Sequence, residues 1–517
     1  MLDEWLPTCG PSTHFRRRRL IIALRGLNPA PLLHIFRIII TVRAPSQTRP
    51  AVPCLALAAP VNRLPTTMTS LLDQSELLNL AERLVAAAKR AGADQVDAVA
   101  LRSVSLAVEL RDDAVEESQR SESDDIGLRV LVGRKQAAVS TNDVKANGLD
   151  AIAERAVAMA RAAPDDEFAG LADSALLARS WADLDLLDPE MPSVAVLEQH
   201  ARRAEQAALE IAGVSKSGGA SASSGIGGMV LVTSHGFRGA TIGSRHSISM
   251  SAIAGSGTAM EQDYDYSSTL HAADLDSAET IGRNAGERAV KRLNPRKVET
   301  RRVPVVFDPR ISGSLLGHLA SAANGAAIAR KTSFLREKLG QRLFRRGIAV
   351  IDDPLRKRGL RSRPFDAEGV ATHELKLIED GVLKSWLLDC ATARELRLQT
   401  TAHAHRGVSS VPSPGPSNLY LAPGPLTPQE LIAEIKDGFY VSDLIGAGVN
   451  LVTGDYSRGA AGFWIVDGAP AYPVSEVTIA GRLAEMFANL QPANDLVFRY
   501  ATNAPTVRVE GLTVAGH

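Results

Sequence analysis

Residues 438–490 read GFYVSDLIGAGVNLVTGDYSRGAAGFWIVDGAPAYPVSEVTIAGRLAEMFANL. The Asp467-Gly468 step sits between two apolar runs, Gly462–Val466 and Tyr472–Ile479. Asp-Gly supplies the positive φ values that a two-residue hairpin loop needs, so the pair predicts a β-hairpin. Upstream lie Gly446-Ala-Gly448 and Gly454-Asp-Tyr-Ser-Arg-Gly459, a glycine-dense stretch. Glycine weakens a strand unless a second backbone or a ligand must come close. Downstream, Leu483, Met486, Phe487 and Leu490 recur at helical spacing, which predicts a short helix covering one face of the sheet.

Working outward, the 517 residues are too many for one ordinary domain. With 45% hydrophobic and 22% charged residues, the composition suits a globular protein, and only 4% aromatic residues means an aliphatic core. The formal net charge is zero but unevenly spread. Residues 1–67 hold nine Arg and two acids, so the other 450 residues hold 58 − 9 = 49 basic and 58 − 2 = 56 acidic groups, a net of −7. That balance argues against direct nucleic-acid binding, which needs a basic footprint. Cys9, Cys54 and Cys390 are too few for a disulfide framework and fit a reducing cytoplasm. The apolar stretch Pro31–Val42 is broken by His34 and Arg37 and is too short to span a bilayer, so no membrane association is expected.

Residues 1–67 carry Arg16–Arg19 and no lysine, in the manner of a transit peptide. Met68 opens directly onto a helix pattern, so this segment is expected to be a disordered or mis-assigned extension. The remainder divides into 68–297, with two lobes at 68–170 and 190–297, and 298–517. In the first part, Asp73 and Glu76 have capping-box spacing ahead of Leu77, Leu80, Ala81, Leu84, Val85 and Ala88, with Gly92 as the stop. Short alternating runs at Val96–Leu101, Ser105–Leu110, Gly127–Val132 and Gln136–Ser140 predict antiparallel strands. Helices are expected at Leu149–Ala163 (Ile152, Ala156, Val157 and Met159 inward), Pro192–Gly213 (Val194, Val196, Leu197, Ala204, Ala207, Ala208 and Ile211) and Ala278–Leu293. The Glu261–Asp265 region reads as a solvated loop. In the second part, a strand over Arg301–Pro309 precedes a helix over Ile311–Ala329 that is rich in Gly, Ala and Ser. A second Asp-Gly hairpin follows around Asp380-Gly381, with a short helix at Thr392–Leu398 and, after a proline-rich loop, a strand at Asn418–Leu421. The fold class expected is α+β: an N-terminal α/β-sandwich-like domain with an antiparallel sheet, then a mostly-β domain with a small-residue helix and Asp-Gly hairpins.

Three segments together resemble the C-terminal signature of the TldD/PmbA peptidase family, and within it the PmbA (TldE) branch. They are Asp443-Leu-Ile-Gly-Ala-Gly448, Gly454-Asp-Tyr-Ser-Arg-Gly-Ala-Ala-Gly-Phe-Trp464 and Tyr472-Pro-Val-Ser-Glu-Val-Thr-Ile-Ala-Gly481. The resemblance runs from about Met68 to the C-terminus. It implies paired strands where composition would read Gly213–Gly228 as a flexible linker. The family's active branch places His-Glu-x-x-x-His on the helix before an Arg-Lys step. Counting back from Arg330 and Lys331, those positions are Gly317, His318 and Ala322. A zinc peptidase needs paired imidazoles on one helix and a carboxylate to deprotonate the metal-bound water. Neither is present, and beside the other His-Glu step, His373-Glu374, Leu377 and Ile378 stand where a second His would be. The active branch also uses a late cysteine, and none follows Cys390.

Other chemistry is thin. His403 and His405 share one strand face, and with His318 they could form a metal site or an independent hydrolase; the plainer reading is hydrogen-bonded histidines near a loop. Gly454–Gly459 lacks the G-x-S-x-G spacing of a serine elbow and is followed by a strand pattern. No phosphate-binding glycine motif occurs. Thr453, Gly454, Asp455, Tyr456, Ser457 and Arg458 could instead form a strand edge that pairs with an extended peptide, or simply a tight sheet crossing. The resemblance therefore implies a metal-free chain with no catalytic residue of its own. A TldD-like subunit would supply zinc, and unfolded or short modified peptides would be the substrates. A different class of function, also implied by the family, is a non-enzymatic modulator of a gyrase or toxin–antitoxin protein.

Overall fold

The computed structural model describes residues 73–143 and 148–516, so expectations for residues 1–67 lie outside the described residues. Helix α1 (Ser75–Arg90) leads into three antiparallel strands, β1 (Gln95–Arg111), β2 (Ala114–Val132) and β3 (Lys135–Thr141), followed by α2 (Leu149–Ala162). Then come α3 (Val194–Leu209), β4 (Val214–Thr233), β5 (Arg238–Ala254), β6 (Glu261–Thr269) and α4 (Ala278–Lys291). The six strands form one sheet in the order β3-β2-β1-β4-β5-β6. Expected runs 96–101 and 105–110 are one strand, because β1 pairs with both β2 and β4 along nearly its whole length.

The serine- and glycine-rich stretch is strand from Val214 onward, in β4, as the resemblance implied. Its burial alternates with period two, Ala220, Ala222, Ser224 and Ile226 turning toward the helices. All four helices cover the same sheet face. α1 and α2 pack on Val96, Ala98, Ala100 and Ile126, and α3 and α4 on Leu106, Val108, Ala222 and Ile248. Small residues let α3 and α4 lie close: a Cβ built on Gly282 would sit 2.0 Å from the Ala204 carbonyl oxygen.

Several local expectations need correction. Asp73 accepts from Ser75 N at 2.9 Å, but the cap position is Gln74 and Glu76 reaches Arg102 instead, so no capping box forms. Met159, Val194 and Val196 are exposed, because the buried stripes of α2 and α3 run through Ala153, Ala160 and Ala201. The supposed solvated loop at Glu261–Asp265 is part of β6, with Asp263 and Asp265 buried. Its charges are tolerated because Arg310 reaches Asp263 at 2.8 Å and Arg288 reaches Asp265 at 2.8 Å.

The rest of the chain begins with β7 (Arg301–Phe307) and α5 (Pro309–Ala322). Four further strands, β8 (Asp437–Ile445), β10 (Asp455–Val466), β11 (Ala469–Arg482) and β12 (Val507–Ala515), join β7, with the short β9 (Val449–Asn450) beside β10. β8 pairs with β7, β7 with β12, β12 with β11, β11 with β10 and β10 with β8, so the ladder closes on itself. Asp467 and Gly468 turn the β10–β11 hairpin at φ +46° and +83°, the left-handed pair that the sequence predicts. Asp380 and Gly381 repeat this at +47° and +76°, although the return strand is only Val382–Leu383. The small-residue helix ends at Ala322 rather than Ala329. There Ala323 O and Gly325 N both bond to the Leu387 backbone, and Asn324 caps a separate turn at Gly325–Ala329.

Two glycines separate packing from propensity. Gly282→Ala drives a Cβ into the Ala204 carbonyl and should lower unfolding stability by roughly 1–3 kcal/mol. A Cβ at Gly317, on α5, meets nothing within 4 Å. Gly317→Ala should therefore gain helix propensity, up to about 1 kcal/mol. Urea melts of both variants check the opposite signs.

Candidate functional site

Helix α5 begins with Asp308 accepting from Arg310 N at 2.9 Å and Pro309 at its first turn, a well-formed start. Its buried stripe, Leu315, Leu316, Leu319 and Ala320, packs into the same core as Phe307, Phe439, Tyr456 and Trp464 of the closed ladder. The three positions that matter for zinc come out on different surroundings. Gly317 faces open space. His318 sets its ring edge-on to Tyr456, with centroids 5.9 Å apart. Ala322 is wholly buried, and its carbonyl accepts from Ser333 Oγ at 2.6 Å.

A zinc ion does not fit this set. One imidazole remains, with no second ligand on the helix and no carboxylate beside it, and among the described residues no group of three His, Cys, Asp or Glu side chains gathers. His318 Nε2, Tyr456 Oη and Arg458 Nε are buried without hydrogen-bond partners among the described residues. Burial, with Arg458 adding to it, pulls the His318 pKa down to about 4, so its ring is neutral at pH 7. Burial pushes the Tyr456 phenol up to about 12.

The strand-edge reading of 454–459 needs correction. On one side Asp455, Tyr456, Ser457 and Arg458 pair with Arg482, Gly481, Ala480 and Ile479 of β11. On the other, β9 pairs with Asp455 and Tyr456, Ser457 N bonds to Gly448 O at 2.7 Å, and Gly459 pairs with Ile445. The main chain is occupied on both sides, so no peptide can add to it there. The side chains alternate instead: Asp455 and Ser457 face out, Tyr456 inward, and Arg458 lies half-buried with Nη2 donating to Leu444 O. Thr453 is exposed, and its hydroxyl donates to Asp455 at 2.6 Å. Gly454 is buried, turning at φ +80° against Phe334. Ile445 and Val452, 63% and 56% exposed, border this row with apolar surface. The result is an outward polar row with apolar margins.

His403 and His405 do not join it. His403 spans the Thr401 carbonyl (2.6 Å) and Asp352 (3.2 Å) with its two ring nitrogens. His405 Nε2 lies 2.9 Å from Gly415 O, and burial beside Arg363 holds its pKa well below the usual histidine range. Sequence reasoning passed over a second feature, a cavity of about 280 Å³ lined by Arg356–Leu360, the first part of the run Arg356-Lys-Arg-Gly-Leu-Arg-Ser-Arg363. Its signal was five cations in eight residues.

Three family models match: PmbA/TldA metallopeptidase domain 1 over residues 96–160, the central domain over 187–293 and the C-terminal domain over 300–516. Metalloprotease PmbA of Escherichia coli O157:H7 is 34% identical over 425 residues, 82% of this chain and 92% of that protein. The PmbA homolog of Haemophilus influenzae is 34% identical over 451 residues, 86% of this chain and 97% of that protein. Among solved structures, a Bacteroides thetaiotaomicron protein described as a candidate modulator of DNA gyrase superposes with TM-score 0.79 at 27% identity, over 86% of this chain and 99% of that one. TldE from Thermococcus kodakarensis shares the fold, with TM-score 0.76 at 20% identity, over 84% of this chain and all of that one.

The orphaned imidazole gives a direct test. In an NMR titration the His318 ring should stay neutral until the pH falls to about 4. Arg458→Gln, which removes the neighbouring cation, should raise that midpoint. A midpoint at the ordinary histidine value in the unaltered chain would contradict the buried placement.

Proposed function

The chain belongs to the PmbA/TldD metallopeptidase family, and we propose that within it the chain is the zinc-free subunit of a two-component peptidase. A TldD-like partner brings the ion, its ligands and the catalytic glutamate, while this chain contributes wall and peptide-holding surface. The substrates are unfolded or short modified peptides, and the complex works in the cytoplasm. Among the described residues no helix is long and apolar enough to cross a membrane.

One observation carries this reading: where the family's active branch has His, Glu and His, this chain has Gly317 facing open space, a neutral His318 and a core-buried Ala322. A scaffold with that donor set has no means of generating hydroxide at neutral pH. The outward row Thr453, Asp455 and Ser457, flanked by Ile445 and Val452, suits contact with an extended chain by side chains rather than by strand addition. A second reading, a binding protein that modulates another protein without cleavage, draws on the description of the Bacteroides relative.

The experiment separates them. Purified alone, the chain should carry well under one zinc per molecule by mass spectrometry and should leave an unfolded peptide intact. Mixed with a zinc-bearing family member, it should give chelator-sensitive cleavage exceeding that of either protein alone. Stoichiometric zinc with cleavage by the isolated chain would overturn the proposal, and lack of synergy would favour the modulator.

A further inference from the structure

The cavity beside Arg356–Leu360 lies between the end of β6 and segments 356–360 and 498–503. Leu270, Leu360 and Phe498 line it together with Arg356, Lys357 and Asp274. The charges do not cancel. Asp274 is already engaged by Arg358 at 2.9 Å, and Arg358 also holds Asp185 at 2.6 Å. Arg499, also in the lining, is answered by Asp276 at 3.1 Å. Arg356 and Lys357 make no salt bridge among the described residues.

Arg356 is held in a particular way. Its guanidinium lies 3.3 Å over the centre of the Phe498 ring, which in turn meets Tyr420 edge-on at 5.1 Å. A guanidinium stacked on an aromatic face keeps its in-plane N–H groups available for a planar oxyanion. More positive charge stands behind it: Arg245 Nη2 donates to Leu360 O at 3.1 Å, and burial together with nearby Arg361 depresses the Arg245 pKa. Two cations without a salt bridge, in a largely polar lining that also includes Leu270 and Leu360, match a group with a short aliphatic stem and an anionic head. At about 280 Å³ the space admits one or two side chains and not a folded partner.

We infer that this cavity is a recognition site for carboxylates of an acidic peptide, held by Arg356 stacked on Phe498 and by Lys357. The choice of a peptide rests on the function proposed above; the carboxylate chemistry does not. The source is either a Glu or Asp side chain or a free C-terminus, and the test distinguishes the two.

Calorimetric titration of the full chain at pH 7 and low salt uses Ac-Ala-Glu-Glu-Ala-NH2 and its Gln-Gln counterpart, with tetra-alanine as free acid and as amide. The Glu peptide should bind about tenfold or more tighter than the Gln peptide, since hydrogen bonds to charged groups are the strong class. If the C-terminus is the source, the free tetra-alanine acid shows that advantage over its amide instead. Arg356→Gln should remove the preference, and Lys357→Gln, at an exposed position, should weaken it several-fold with an unchanged melting temperature. Equal binding of charged and neutral peptides, no binding at millimolar concentration, or a preference that survives both substitutions would overturn the site. Inorganic phosphate displacing the peptide at equal concentration would overturn the peptide assignment. None of these outcomes involves zinc or cleavage, so failure here is distinct from failure of the two-subunit reading.

Discussion

Two buried aspartates of the first sheet tie its strands to the elements packed beside them. Asp263, on β6, accepts from Arg310 of α5 at 2.8 Å, and Arg292 spans Asp263 at 3.4 Å and Asp443 of β8 at 3.2 Å. Asp97, on β1, is gripped by Arg129 of β2 and by Arg406, both fully buried or nearly so. Burial opposes the charged form of Asp97, yet the two arginines outweigh it and keep its pKa below the usual carboxylate range. Such pairs add little net stability over apolar packing, but losing one partner leaves an uncompensated charge at about 3–5 kcal/mol. Their directional contacts link β6 to α5 and β8, and β1 to β2 and Arg406. With Arg310 of α5 tied to Asp263 of β6, the start of α5 is fixed too, and with it the positions of Gly317 and His318.

How much of this could be read from the sequence depends on the distance over which each feature is decided. The Asp467-Gly468 and Asp380-Gly381 turns were legible because positive φ is a local demand that few residues meet. Helical stripes were legible as wholes, but Met159, Val194 and Val196 were not, since alanines rather than the larger residues face the sheet. Strand β4 was illegible to hydrophobicity because its alternation is written in serine, alanine and glycine. Asp263 and Asp265 looked solvated because the arginines that neutralise them lie far along the chain.

The candidate site divides in the same way. That positions 317 and 322 lack metal donors is a matter of side-chain identity, so the sequence suffices. That Tyr456 stands against His318 is a contact between residues 138 apart in number, made only when α5 packs into the closed ladder. The strand-edge expectation for 454–459 failed for the same reason. A glycine-dense strand does imply close approach by another backbone, but that backbone is the chain's own segment 445–450 folding back. At Gly448 an added Cβ would fall 1.9 Å from the Ser457 carbonyl oxygen, so the glycines serve internal pairing.

The absence of metal donors at positions 317 and 322 is accompanied by packing that differs between the two. Gly317 faces open space, so an imidazole placed there would have room but no second donor on its helix. Ala322 is fully buried in the core that holds α5 against the ladder, and a histidine there would have to displace neighbours, a change costing roughly 1–3 kcal/mol or more. His318, which the family resemblance aligns with the glutamate, is neutral at pH 7 and its Nε2 is sealed from solvent. Rebuilding the motif would therefore mean repacking the core around position 322, on a helix whose first turn is paired with β6 through Arg310 and Asp263.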